Sequence, residues 1–457
     1  MKNSQHKSVR AGILLLGMTL LGLTLSTQPG IAQTTPPPAF GQDPTAPPVT
    51  QAPPVTSLDE PSLEPSVSAR SYLQPGAHIS ETVNSNLGGT GGSSGRNGVV
   101  GITRVLGSLD LKRLWSRYDL SLDYIGGLSL YSDNFGGPTQ SHSMNAAQRY
   151  SWRTGQIQVC DGLTYLPEGS FGFSAYGAGG SCGGSSIGGG GSSFGSLTKT
   201  DPRLTNSTGI NLHESLSPRS TITLGGSYGF TDFFGNTSVG TVNSHQLGGQ
   251  AGYNRILNKF DQVGISYGYQ QFQFPTAGAG TIKSNVIQAL YAHQVSERMS
   301  LILGVGPQFT TINGLTQLNA NVRASLRYHF PRTSLAMSYS RFTSSGSGLQ
   351  LGSQSDVAKV GVQRPLNRLW TGNLDLGYSR HSALQQPGSS RAVGGTFQTG
   401  FTGGGVSRRL GHFFTLTMHY QYGYESFSDK ARVGPGSFNR HIGDVMLSWH
   451  PRPIRLD

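Results

Sequence analysis

Apolar and polar residues alternate along most of this chain, and the alternation begins near Ala77. Over residues 118–130 the even positions read Tyr118, Leu120, Leu122, Tyr124, Gly126, Leu128 and Leu130, while Asp119, Ser121 and Asp123 hold odd ones. Leu301, Leu303, Val305 and Phe309 repeat the pattern, as do Leu335, Met337 and Tyr339. Leu374, Leu376 and Tyr378 stand against Asp375, Gly377 and Ser379. Phe414, Leu416, Met418, Tyr420, Tyr422 and Tyr424 stand against Thr415, Thr417, His419 and Gln421. A side-chain period of two predicts β-strands with one apolar and one wet face.

A short basic turn separates the runs. Its instances are Lys112-Arg113, Arg153-Thr154, Pro218-Arg219, Asn258-Lys259, Glu297-Arg298, Pro331-Arg332, Asn367-Arg368 and Arg408-Arg409, with Pro451-Arg452 after the last run. Counted between their last basic residues, the steps run from 34 to 43 residues, except one of 66 that a Gly/Ser-rich insertion fills. Eight turns join sixteen strands; a leading run near 77–88 and a closing one near 437–450 raise the expected count to eighteen, with sixteen as the alternative. An even count leaves both termini on one side. The other connections, near 88–97, 131–139, 167–204, 344–355, 381–394 and 426–437, are longer and rich in Gly, Ser, Asn and Thr, as solvated loops are.

A soluble sandwich also alternates, so the pattern needs a second criterion. Here the strands are long, tyrosines sit near their ends, and the polar face carries small residues where a sandwich would bury bulky ones. Composition agrees: 35% hydrophobic and 12% charged residues both fall below globular norms, yet 66 Gly, 18 Tyr and 20 Phe argue against disorder. The reading is all-β, a transmembrane antiparallel up-and-down β-barrel. Over roughly residues 75–450 the chain resembles the bacterial outer-membrane β-barrel superfamily in the porin-like size range. That resemblance implies residence in outer-membrane lipid and insertion by the barrel-assembly machinery, which reads an aromatic at the end of the last strand. Trp449, after Val445 and Leu447, fills that place, although His450 to Asp457 extend beyond it.

The N-terminus carries an export address. Lys2, Lys7 and Arg10 precede an apolar run from Ala11 to Leu25, and Gly30-Ile31-Ala32 offers a small-residue cleavage site. The predicted organisation is a signal peptide over 1–32, a Pro-rich disordered linker over 33–76, the barrel over 77–450, and a short tail over 451–457. Removing Lys2, Lys7 and Arg10 lowers the formal charge from +12 to about +9. Much of the remainder lies in the repeated turns, which suits anionic lipid rather than nucleic acid.

Inward parity collects Arg104, Arg149, Arg323, Arg327 and Lys359 against Asp110, Asp119, Asp123 and Asp375. Arg323 and Arg327 form a ladder on one strand, and rings of like charge set pore selectivity. Pairing of these charges across the lumen is the competing reading. Cys160 and Cys182 are the two cysteines of an exported chain, so a disulfide is expected, contributing on the order of 3 kcal/mol by chain entropy. Such a bond would draw the Gly-rich loop 168–196 towards the lumen as a constriction.

Enzymatic signatures are poor. Gly91-Gly92-Ser93-Ser94-Gly95 fits a nucleophile elbow only in letters, because no helix follows it. No metal site, cofactor or catalytic residue is expected. The predicted function is a passive channel for small hydrophilic solutes. The alternatives are an exporter of an anionic polysaccharide and a structural or adhesive barrel. Oligomerisation is left open.

Overall fold

The structure, a computed structural model, describes residues 71–85, 99–132, 138–166, 202–234, 243–275, 279–296, 298–344, 351–384, 395–428 and 437–456. The signal segment, residues 33–70 of the linker, and the insertion 168–196 with Cys182 lie outside the described residues.

The strands follow in chain order. The first six are β1 Tyr72–Asn84, β2 Val100–Leu114, β3 Tyr118–Tyr131, β4 Thr139–Ser151, β5 Gly155–Leu166 and β6 Arg203–Ser217. The next six are β7 Ser220–Phe233, β8 Ser244–Ile256, β9 Asp261–Phe274, β10 Ala279–Ser296, β11 Met299–Ile312 and β12 Leu315–His329. Then come β13 Ser334–Ser344, β14 Ser353–Pro365, β15 Trp370–Ala383, β16 Thr396–Leu410, β17 Phe414–Phe427 and β18 Ser437–Trp449. Each pairs antiparallel with the next, and β1 pairs with β18 from Ala77↔Trp449 to Asn84↔Ile442. The sheet therefore closes into an up-and-down barrel of eighteen long strands.

The first strand starts at Tyr72, inside the stretch that the sequence assigns to the linker. Pro75 is tolerated there because it lies ahead of the first β1–β18 pair, where one edge of β1 is open. The tail also joins the sheet: β19, Ile454–Arg455, pairs with Leu73 and Tyr72.

The short turns have a shared construction. Asn258 Oδ1 accepts from the N–H groups of Phe260 (2.7 Å) and Asp261 (2.9 Å), and Asn367 Oδ1 accepts from Leu369 and Trp370 (both 2.9 Å). Ser217 and Ser296 do the same more weakly for Arg219 and Arg298. The side-chain cap leaves the next residue free to be basic, and the cations find nearby rings. Arg113 lies 5.0 Å from the Trp115 ring, Lys259 4.8 Å from Phe260, and Arg408 5.2 Å from Trp370. Lys112-Arg113 and Arg408-Arg409 sit in the last residues of β2 and β16 rather than within the turns. Two connections at the opposite rim are also short. One is a two-residue turn, Asn313-Gly314, with φ of 49° and 83°.

The faces are inverted relative to a water-soluble domain. Leu376 is 41% exposed while its neighbour Asp375 is 2% exposed, and the same contrast runs around the barrel. Ile79, Val105, Leu128, Ile265, Ile287, Leu303, Leu374 and Leu447 point outward. An apolar belt on every side of a closed sheet fits hydrocarbon, because strand-to-strand pairing around the ring satisfies backbone groups without water.

Candidate functional site

The inner face is built by register. Ser80 pairs with Arg104, and Arg104 with Ser129, so all three share the lumen side. Arg104 is fully buried: its Nη1 donates to Thr82 Oγ1 at 2.6 Å, and Thr82 donates to Asp444 Oδ1 at 2.5 Å. This relay spans β2, β1 and β18.

The remaining charges singled out from sequence divide between two walls. On β2–β4, Asp119 faces Arg149 as a cross-strand partner, and Asp110 faces Asp123. Tyr72 also donates to Asp110 Oδ2 at 2.9 Å. On β12–β15 the register places Arg323 between Gly304 and Ser340, Arg327 between Ser300 and Ala336, and Lys359 between Ser338 and Gly377. Asp375 lies beside Gly361 and Gly403, one step from Lys359, and accepts from Asn373 Nδ2 at 3.0 Å. Since β3 and β12 stand nine strands apart in a ring of eighteen, these walls oppose each other across the lumen. The β2–β4 wall is the more acidic and the β12–β14 wall the more basic.

Cys160 is buried, shares the lumen side with Ala147 and Gly209, and is disulfide-bonded. Cys182 lies outside the described residues, as does the loop expected to follow that bond inward.

The occluding element that the structure does show is different. In the half of the barrel nearer the long loops, β12 and β13 part company. Their pairing ends at Val322↔Arg341, although β12 continues against β11 to Leu315 and β13 continues against β14 to Ser344↔Ser353. Beyond the split, Phe342, Thr343, Ser344 and every residue from Leu351 to Ser355 are buried, whichever face they belong to. Burial of both parities means that these strand ends are covered on both sides, although β14 stays laddered to β15 up to Ser353↔Ala383. Thr343 Oγ1 lies 3.2 Å from Thr310 Oγ1 on β11, passing over β12. Leu351 and Leu384 pack with Phe272, Phe274, Ile282 and Ile312 from β9–β11. Leu384 N donates to Gly352 O at 3.2 Å, and Ser355 Oγ meets His381 Nδ1 at 2.8 Å.

The inner face expected to be small and polar thus carries bulky apolar side chains beside its polar ones in this half. Phe397 stacks on Phe427 at 4.7 Å and on His381 at 5.7 Å. Sequence reasoning also misses Arg203, Glu425 and Arg440, all fully buried on the lumen wall. They sit at strand ends that border the expected loops, although the alternation does carry on through them.

No family model matches this chain, and no curated protein matches it. Among solved structures the chain has remote matches. The FrpB iron transporter from Neisseria meningitidis shares 8% identity with a TM-score of 0.40, over 83% of this chain and 82% of that one. OpdQ from Pseudomonas aeruginosa shares 8% with a TM-score of 0.42, over 84% and 98%. The ferric-catecholate import receptor Fiu from E. coli K12 shares 9% with a TM-score of 0.41, over 88% and 85%. Likeness this remote does not speak to cargo, so the function is argued from the barrel itself.

Proposed function

We propose that this protein is a bacterial outer-membrane channel for small hydrophilic solutes, narrowed at one mouth by the β13–β14 hairpin. The observation that carries this is the inverted barrel: eighteen strands with an apolar outer belt and a charged, hydroxyl- and amide-rich lumen. A ring of that size is too wide for side chains to fill, so its free interior holds water. Flux through such a path depends on width and field rather than on any bond-making step, and the reading assigns no enzyme chemistry.

Arg323, Arg327 and Lys359 facing Asp119 and Asp123 would set a field across the lumen. It would favour anionic and dipolar solutes along the basic wall. On the same reading the short turns face the periplasm, Trp449 is the aromatic read during assembly, and residues 1–32 are the export signal. The Cys160–Cys182 bond is proposed to tether the insertion between β5 and β6.

Planar-bilayer recording of the purified, folded barrel tests this reading. Discrete conductance steps with a measurable ion preference are expected. A folded, inserted protein that passes no current in any state would refute it.

A further inference from the structure

One wall of the barrel breaks the apolar belt at its middle. The outward residues of β5 are Ile157, Val159, Asp161, Leu163 and Tyr165, so Asp161 is the central one, with apolar neighbours above and below. It is the seventh residue of β5; the seventh of β15, which also leaves a short turn, is the outward Leu376. Asp161 Oδ1 accepts from Thr208 Oγ1 at 2.5 Å and from Asn206 Nδ2 at 3.0 Å, both on the outward face of β6. Its Oδ2 has no partner among the described residues. Lipid headgroups do not reach that depth, and a carboxylate facing hydrocarbon is unfavourable. The surroundings are small: Ala146 stands beside Asp161 on β4, and Gly226 on β7 pairs with Gly249 on β8. Small residues let a second protein surface come close within a membrane.

We infer that the outer face of β4–β8 docks a second copy of this protein, around a two-fold axis that runs along the membrane normal through Thr208. The register row Asp161–Thr208–Tyr228 carries the argument. A two-fold axis at Thr208 exchanges the strands on either side of it, so β7 of each copy faces β5 of the other. Tyr228 is 44% exposed, and among the described residues its side chain makes only ring contacts, with Phe230 and His245. In the dimer its hydroxyl donates to the open Asp161 Oδ2 of the other copy. The contact forms twice, and each copy supplies both donor and acceptor. That self-matching favours a second copy over a foreign protein. Five strands about 4.8 Å apart, across a belt about 25 Å tall, offer on the order of 600 Å² per copy. About 1,200 Å² in all lies within the range of stable interfaces. The inference rests on the membrane-barrel reading but not on transport.

Two measurements on the full-length, folded protein test it. Sedimentation equilibrium in a density-matched non-ionic detergent compares the native barrel with Asp161→Leu and Tyr228→Phe, each checked for folding by heat-modified gel mobility. The native protein is expected to be a dimer, and each variant to weaken association by at least about tenfold, the effect of losing a hydrogen bond to a charged group. In native membranes, Thr208→Cys treated with a short bismaleimide should give a band of twice the mass. Leu376→Cys, at the same depth on the opposite wall, should not. A native protein that is monomeric in detergent and gives no Thr208→Cys dimer in membranes overturns the inference. So does a trimer, or a dimer that Asp161→Leu leaves intact. Neither measurement reads current, so failure of the channel reading is distinguishable from failure of the dimer.

Discussion

Two adjacent hairpins make opposite choices at the same rim of the barrel. The β12 arm of the β11–β12 tip, entered through Asn313-Gly314, is exposed on both faces at Leu315 and Leu318. The neighbouring ends of β13 and β14, Phe342–Ser344 and Leu351–Ser355, are buried on both faces. Their sequences alternate alike, and below Val322↔Arg341 they belong to one continuous sheet. What separates them is the flanking chemistry. One ends in a tight left-handed turn, while the other brings Leu351 and Gly352 to an apolar shelf on β9–β11. A few ladder pairs are exchanged for apolar burial on the inner face. The comparison teaches that parity fixes which side a residue faces only while its strand stays in the wall.

The strongest way to break the comparison is to spoil the shelf. Ile282→Asp places an unpaired carboxylate in that cluster and should disfavour the inward hairpin by at least about 3 kcal/mol. Conductance should rise several-fold while the barrel stays folded by heat-modified gel mobility. Next comes a contrast within the exposed leucines. Leu376→Arg, in the middle of the lipid belt, should cost roughly 2–4 kcal/mol in reversible unfolding from vesicles. Leu318→Arg, on the projecting tip, should change stability by no more than about 0.5 kcal/mol. Equal costs would mean that the tip is not outside the membrane.

A milder change acts at the hinge of the inward hairpin. Gly352 has φ of +77° and lies against Ile282, so Gly352→Ala should weaken closure by about 1–2 kcal/mol. Single-channel conductance should rise, by less than for Ile282→Asp. The smallest effect concerns selectivity. Replacing Arg323, Arg327 and Lys359 together with Gln should shift the reversal potential towards cations. The permeability ratio should change by about tenfold or less, and less still at high salt.

Much of this was legible in the chain. Alternation over runs such as Leu374–Tyr378 gives the strands and their outward face, and the basic turns give eighteen strands closed on one side. The alternation puts Arg104, Arg149, Arg323, Arg327, Lys359, Asp119, Asp123 and Asp375 on the polar face, since a side-chain period of two fixes facing along each strand. The parting of β12 and β13 was not legible. Phe342-Thr343-Ser344 leads into Ser345-Gly346-Ser347-Gly348, which reads as the start of an ordinary solvated loop. Alternation also reports only facing, not whether neighbouring strands remain hydrogen-bonded. Phe272, Ile282 and Ile312 follow inward parity, yet only the fold shows that they meet Leu351. One further signal lies in the chain: Asn313-Gly314 between two alternating runs marks a tight hairpin, so not every connection at that rim is long.

The central claim is that the lumen is an aqueous path and that the β13–β14 hairpin is what narrows it. Single-channel conductance of the native protein beside Ile282→Asp, in the same bilayer and salt, tests it most directly. The account predicts small steps from the native barrel and steps several-fold larger from the variant. Identical steps from the two folded proteins, or none from either, would contradict it.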